Sequence, residues 1–246
     1  MRFLLGVLIV AAPLRAGVVY DFTTTIETPH VAMHQSGHMS VEGQNYRADF
    51  TGRGGRDIDV VISNDGDETA IFVDLRKCSW SYRHRLGPTR SSGFFHLPAD
   101  GGDAVIGKSH VTHRIEGKEM IAGYEATKHV IDIEYRLIAV LADTPVRGNV
   151  VARATIWTID SLPPLPMRRD LRTGHEAIDE QLSRISSEIH GMIVRHELEV
   201  TRAFEGGIAQ TEKTITRIEN LRVADLPESL FAVPDEAAYV QRSPGS

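Results

Sequence analysis

The stretch EMIAGYEATKHVIDIEY, residues 119–135, concentrates side chains that could carry out acid–base chemistry. Tyr124, Lys128 and His129 can each donate or accept a proton in catalysis. From Ile131 onward, however, apolar residues alternate with charged ones, which is typical of a strand with one buried face. Adjacent strand residues point to opposite faces, so Lys128 and His129 cannot converge on one substrate. We therefore interpret this stretch as an apolar wall with a solvated back.

The sequence contains no complete catalytic motif that would argue against this interpretation. Tyr124 and Lys128 have the Tyr-x-x-x-Lys spacing of short-chain dehydrogenases, but that chemistry needs helical spacing and a Gly-x-Gly-x-x-Gly turn that opens a helix. The glycines of TGRGGRD have a different spacing, and no Gly-x-Ser-x-Gly hydrolase motif occurs. Asp65 and Asp67 fit a tight turn better than a pair of catalytic carboxylates. The sequence predicts that the protein is not an enzyme, unless His, Asp or Glu side chains converge in an unrecognised cleft.

Cys78 is the only cysteine of the chain. It could serve as a nucleophile with His84 or His129. The alternation of Cys78 with Trp80 and Tyr82 instead predicts a strand in which the thiol is a small buried apolar group.

Histidines at regular spacing are the candidate metal ligands. His30, His34 and His38 are four residues apart, and three imidazoles could bind zinc or copper. A proline and a glycine within this segment argue against a helix, and strand residues four apart are roughly 13 Å from each other, too far for one ion. His110 and His113 are predicted on opposite strand faces. The sequence therefore predicts no metal site and no cofactor.

The first residues have the layout of a secretory signal peptide. Residues 1–16 contain Arg2, an apolar run over residues 3–12 and the small Ala16, and this run is too short to span a membrane. A buried N-terminal strand or helix is the alternative. Cleavage near Ala16 would remove Arg2 and Arg15 and move the formal net charge from -6 to -8. This acidity argues against nucleic acid and anionic membranes as partners. We expect a periplasmic or extracellular protein with no integral membrane segment.

Period-2 alternation dominates the chain after residue 17 and predicts many antiparallel strands. Two segments interrupt it. Residues 87–109 are rich in Gly, Pro, Ser and Asp and are predicted to form a long loop. Residues 161–172 contain three prolines and are predicted to form a connector without ladder hydrogen bonds.

One amphipathic helix is predicted over residues 174–190. Ile178, Leu182, Ile185 and Ile189 recur at spacings of four, three and four, whereas the residues between them are mainly polar. Gly191 is predicted to be the C-terminal cap. The fold class is therefore mainly β (α+β), a curved antiparallel sheet or open half-barrel covered by one amphipathic helix.

Four stretches carry a family resemblance: VEGQNYRADF, VISNDGDETAIFVDLRKCSWSY, IAGYEATKHVIDIEY and LRVADLPESLFAVP. They resemble an uncharacterised family of exported bacterial proteins that is itself similar to periplasmic lipoprotein carriers of the LolA and LolB type. The resemblance implies one domain over residues 17–246, in which an open half-barrel and a covering helix enclose a hydrophobic cavity for acyl chains. This chain departs from those carriers in its longer length, the extended loop at 87–109 and the SLPPLP insertion.

The predicted function is that of an exported, non-enzymatic binder or carrier of a lipid or other hydrophobic ligand. Its partners would be a lipid or acyl chain and a lipoprotein or other envelope protein. Ten apolar residues are predicted to line the cavity: Phe72, Trp80, Tyr82, Ile133, Tyr135, Trp157, Ile178, Leu182, Ile185 and Ile189. Alternatively, the large aromatic residues fill a packed core, and the protein is a structural or interaction module of the cell envelope.

Overall fold

The period-2 alternation forms one large, mainly antiparallel sheet in the computed structural model. The structure describes residues 17–53, 59–64, 69–84, 104–141, 144–165, 173, 175–207, 209–232 and 240–241. Within these residues the strands are β1 (Gly17–Glu27), β2 (Ala32–Glu42), β3 (Asn45–Arg53), β4 (Val60–Ser63), β5 (Thr69–Asp74), β6 (Ser79–His84), β7 (Ala104–Ile121), β8 (Tyr124–Leu141), β9 (Thr144–Ile159), β10 (Met192–Phe204), β11 (Gln210–Ala224) and β12 (Val240–Gln241).

The described part of the chain contains one α-helix, α1 (Glu176–Glu188), and one 3-10 turn, Glu228–Phe231. The helix lies inside the range predicted from its apolar spacing. Its C-terminal cap is Ile189, and Gly191, predicted to be the cap, follows two residues later with a φ of 79°. Gly191 therefore makes the bend from the helix into β10, where a left-handed backbone favours glycine.

The sheet consists of two meanders that meet at one ladder. Its strand order is β12-β6-β5-β4-β3-β2-β1-β11-β10-β9-β8-β7. Strands β1 to β6 are neighbours in chain order, as are β7 to β11, and β1 pairs with β11 in the register Phe22 with Ile218. The terminal strands β7 and β12 do not pair with each other in the described chain. For the described residues, the predicted fold class, an open curved antiparallel sheet with a single helix, is confirmed.

Buried apolar side chains form three clusters. The first lies where α1 packs on β8, β9 and β10. The second combines β1, β2, β3 and β11 with the ends of β8, β9 and β10 and with Leu162 and Leu165 of the segment that follows β9. In the third, Leu226, Leu230 and Phe231 cover β4, β5 and β6. Arg47 Nη1 and Asn64 Nδ2 hold this segment by donating hydrogen bonds to main-chain carbonyls, at 3.3 Å and 3.1 Å.

The loop prediction for residues 87–109 is too long at its C-terminal end. Strand β7 already begins at Ala104. Alternation is weak there because Gly107 has a φ of 76° and the register with β8 shifts between Ile106 and His110. A bulge of this kind hides a strand from a period-2 pattern. The remainder of the predicted loop, residues 87–103, and residues 1–16 lie outside the described residues.

Candidate functional site

A continuous apolar wall faces helix α1. Along β8, Ile131, Ile133, Tyr135 and Leu137 alternate with polar residues, and all four side chains are at most 3% exposed. The register aligns them with Ala154, Ala152, Val150 and Gly148 of β9. This wall is the apolar surface predicted from the window 119–135.

Helix α1 is buried unevenly along its length. Ile178 and Leu182 are fully buried against the wall, whereas Ile185 and Ile189 are only partly buried. Ile193, the second residue of β10, continues this partly buried apolar edge. The helix therefore anchors its first half in the core and leaves an apolar rim beside its second half.

Polar contacts between α1 and the sheet are few among the described residues. Gln181 Nε2 donates to Ser109 Oγ of β7 at 3.0 Å. Glu188 Oε2, in the last turn, lies 3.3 Å from His113 Nδ1. At the other end, the ring of Tyr135 contacts that of His175 with centroids 5.5 Å apart. The helix is thus held mainly by non-directional apolar contacts.

The structure brings six of the ten predicted lining residues together. These six belong to the first cluster: Ile133, Tyr135, Ile178, Leu182, Ile185 and Ile189. The described side chains among the ten do not form one continuous surface.

The predicted aromatic lining residues lie elsewhere. Trp157 follows Ile156 directly, points to the opposite strand face and belongs to the second cluster. Trp80 belongs to the third cluster, beneath the segment that contains Phe231. Phe72 pairs in register with Val61 and Ser81, so it faces away from Trp80. The side chain of Tyr82 is outside the described residues.

A largely buried polar network, which the sequence did not predict, lies beside the rim. His113 Nε2 is 3.1 Å from His129 Nδ1, and His129 Nε2 is 3.2 Å from Thr158 Oγ1. The two imidazoles stack with their centroids 5.4 Å apart. Together with Glu188, these groups form a chain of polar contacts from the last turn of α1 to the middle of the sheet. The burial of His129, followed by its proximity to His113, lowers the pKa of its imidazole below the usual 6.5.

His113, His129 and Glu188 lie within contact distance of one another in sequence along this network, and such a convergence of His and Glu side chains is the arrangement that would favour an enzyme. Its innermost members are not accessible, however: Thr158 is 0% and His129 4% exposed. A hydroxyl closed off in this way cannot attack a substrate in this conformation. The network can satisfy buried polar groups and tie α1 to the sheet.

A one-residue bulge creates this network. Near the hairpin turn, Ile121 pairs with Tyr124 and Gly117 with Lys128, but beyond a shift at residue 116 His113 pairs with Ile131. Without the shift, His113 would pair with Asp132 and point to the other face. Gly117, whose φ is 121°, is the sequence signal for this irregularity.

The opposite face of β7, β8 and β9 carries ion pairs, beside the buried ring of Trp157. Lys128 Nζ lies 2.8 Å from Glu116 Oε2, and Arg114 and Arg153 both contact Asp132. Hydrogen bonds from Lys128, and then from Arg114, lower the pKa of the Glu116 carboxyl. Lys128 is on this face and His129 on the other, as the strand alternation predicts.

Cys78 contradicts the prediction of a buried strand residue. It is exposed and ends the turn of residues 75–78, with a φ of 44°. Strand β6 begins one residue later, so the turn interrupts the alternation that Cys78 shares with Trp80. The Asp74 carboxylate accepts hydrogen bonds from the main chain of Arg76 and Lys77, which stabilises this turn.

Two of the regularly spaced histidines, His34 and His38, have separate partners. His34 Nδ1 lies 3.3 Å from Thr25 Oγ1, and His38 Nδ1 lies 2.9 Å from Asp21 Oδ1. No group of three or more His, Cys, Asp or Glu residues in the described part of the chain is arranged to hold a metal ion. In the same residues, no helix is long and apolar enough to cross a membrane.

In its described residues, the protein belongs to the class of open antiparallel sheets in which one amphipathic helix covers an apolar wall. The structure is similar to a LolA superfamily protein from Nitrosomonas europaea, with 9% identity, 90% of this chain and 92% of that chain covered, and a TM-score of 0.35. It is also similar to a DUF1329 family protein from Desulfovibrio piger, with 9% identity, 90% and 91% coverage, and a TM-score of 0.33. No family model and no curated protein sequence matches the chain. The LolA superfamily is also the family that the four sequence stretches resemble.

Proposed function

We propose that this protein is an exported, non-enzymatic carrier that binds the acyl part of a lipid or lipoprotein between α1 and the wall of β8, β9 and β10. The observation that carries the proposal is the uneven burial of α1. Ile178 and Leu182 are fully buried, but Ile185 and Ile189 form a partly buried apolar rim with Ile193. A rim of this kind is the place where a hydrophobic chain can enter without first disrupting the core.

The energetics of the helix contacts support this mode of binding. An acyl chain contributes about 0.8 kcal/mol for each methylene that it buries. Contacts between the rim and the wall are also apolar, so an acyl chain can replace them at little cost in free energy. The pair of Glu188 and His113 is a weak restraint, since the Glu188 side chain is 66% exposed.

The open sheet supports the same proposal. Strand β7 ends the strand order, and the wall continues onto it through Val111, which packs partly buried against the first cluster. An unclosed edge allows the sheet to change its curvature more easily than a closed barrel does. We infer that a ligand enters beside the second half of α1, where Ile185, Ile189 and Ile193 form the partly buried rim.

A second candidate is a structural or interaction module of the envelope. The tight packing of the wall favours it, because Ile133 and Tyr135 are 1% and 3% exposed in contact with other side chains. In this case α1 is a fixed part of the core, and no ligand separates it from the sheet.

Lipid extraction and native mass spectrometry of the protein purified from the cell envelope distinguish the two candidates. A carrier retains lipid and increases the fluorescence of a neutral apolar dye. Ile185→Asp places a charge in the rim and should abolish both signals, whereas Ser183→Asp, at an exposed position of the same helix, should preserve them. Far-UV circular dichroism verifies that both variants fold. A wild type without lipid or dye response would contradict the carrier and favour the module.

A further inference from the structure

We propose that Arg202 forms a subsite for the anionic head group of the bound amphiphile, a carboxylate or a phosphate. This inference rests on the proposed function, because it assumes that an acyl chain occupies the wall. It adds the chemical class of the ligand: an anionic lipid rather than a neutral one.

Arg202 lies on the same face of the sheet as the apolar wall. Along β10, Leu198 and Val200 belong to the first cluster, and Arg202 follows with the same alternation and without a register shift. In register, Arg202 pairs with Val150, which in turn pairs with Tyr135. Two strand spacings separate Arg202 from Tyr135, which is roughly 10 Å.

The guanidinium of Arg202 has an unused donor. Its Nη2 is buried, and no hydrogen-bond acceptor reaches it from the described chain. The only ion-pair partner seen there is Glu212, whose Oε2 is 3.7 Å from Nη1, beyond normal hydrogen-bond length. Burying a charged donor without an acceptor is unfavourable, so an anion that accepts a hydrogen bond from Nη2 would stabilise this site.

Apolar groups beside Arg202 would hold the first methylenes of the chain. Phe204 packs partly buried against the first cluster, two residues further along the same strand face. Its ring lies so close to Gly148 that a Cβ there would be 2.8 Å from the ring carbons and 3.4 Å from Leu137 Cδ1. A cation next to an aromatic shelf matches an amphiphile whose charged end is joined directly to its hydrocarbon chain.

Guanidinium chemistry selects an anion for this position. Its planar donors bind the two oxygens of a carboxylate or phosphate, and charge-assisted hydrogen bonds of this type are roughly twice as strong as neutral ones. Glu212 repels the same anion, so its carboxylate limits the affinity.

Displacement of a neutral apolar dye by three probes with the same oleoyl chain tests the proposal. The probes are oleate, oleoyl lysophosphatidate and the neutral mono-olein. Arg202→Gln should weaken at least one anionic probe by about tenfold and leave mono-olein unchanged. Glu212→Gln should strengthen anionic binding several-fold, and Arg202→Lys should retain part of it. Arg217→Gln is the matched control, since Arg217 is exposed and pairs with Arg195 on the opposite face.

The outcomes separate this inference from the proposed function. If the wild type binds mono-olein but Arg202→Gln leaves both anionic probes unaffected, the subsite is wrong and the carrier function stands. An equal loss of all three probes would make Arg202 structural and would also overturn the subsite. If the wild type binds no probe, the proposed function fails and the subsite with it. A loss confined to oleoyl lysophosphatidate or to oleate supports the subsite and identifies the head group.

Discussion

Two glycines with nearly the same backbone conformation provide a quantitative test of how α1 joins the sheet. Gly191 follows the helix with a φ of 79°, and Gly206 lies in the turn between β10 and β11 with a φ of 77°. A Cβ at Gly206 would have no heavy atom within 4 Å. A Cβ at Gly191 would overlap the carbonyl oxygen of Ile159 and lie 2.7 Å from Asp160 Cα.

The structure gives different magnitudes for the two alanine variants. A left-handed backbone costs alanine about 1–2 kcal/mol, and the reduced entropy of the unfolded chain offsets about 0.4–1 kcal/mol of this. Gly206→Ala should therefore lower the free energy of unfolding by about 1 kcal/mol. Gly191→Ala adds an overpacking cost of about 1–3 kcal/mol, for a total near 2–4 kcal/mol.

Urea unfolding followed by far-UV circular dichroism measures both variants against the wild type. Equal m-values in the three proteins are required for the comparison, because a changed m-value indicates an altered denatured or native state. If the two substitutions lower the free energy of unfolding by the same amount, the close approach of Gly191 to the end of β9 is refuted.

Three further predictions concern other parts of the structure. Leu182→Ala should cost about 2–5 kcal/mol of unfolding free energy because the side chain is fully buried, and Ser183→Ala less than about 0.5 kcal/mol; equal costs in urea unfolding would contradict the burial of α1. The fold lowers the pKa of His129 below the usual 6.5, so, as the pH falls, this residue is protonated in the unfolded chain before it is protonated in the folded protein. The free energy of unfolding therefore decreases as the pH falls through about 6.5. Thermal melts from about pH 7.5 to about pH 5.5 should show a smaller loss for His129→Gln than for the exposed control His110→Gln, and equal losses would refute the assignment. Cys78 should react completely with a thiol reagent in the native protein, whereas a reaction that requires denaturant would show that the thiol is buried.

The elements that the sequence predicted correctly depend on residues close together in the chain. The alternation of Ile131, Ile133, Tyr135 and Leu137 fixes which side of β8 is buried. The apolar spacing of α1 likewise identifies the residues that contact the sheet. A short window contains all the information for both, so no knowledge of strand pairing is needed.

The position of the aromatic residues required information that a short window lacks. Trp80 and Trp157 each fit the alternation of their own strands. Whether their side chains lie on the same face of the sheet as the wall, however, depends on the register of every strand pair between them. Bulges change that register, as between Ile193 and Arg195 beside Trp157. The surface shared by α1 and the wall is therefore smaller than the ten residues predicted from the sequence.

The ladder between β1 and β11 has a consequence for how the chain folds. Most neighbouring strands of each meander follow one another directly in the chain, whereas β9 and β10 are joined through α1, so most contacts within a meander are local and form quickly. The ladder pairs Phe22 with Ile218, and closing so long a loop carries an entropic cost that local hairpins avoid. The packing of Phe231 on β4, β5 and β6 also requires the last part of the chain. We expect the two halves to form early and to join late, with the whole sheet complete only when the C-terminal residues are in place.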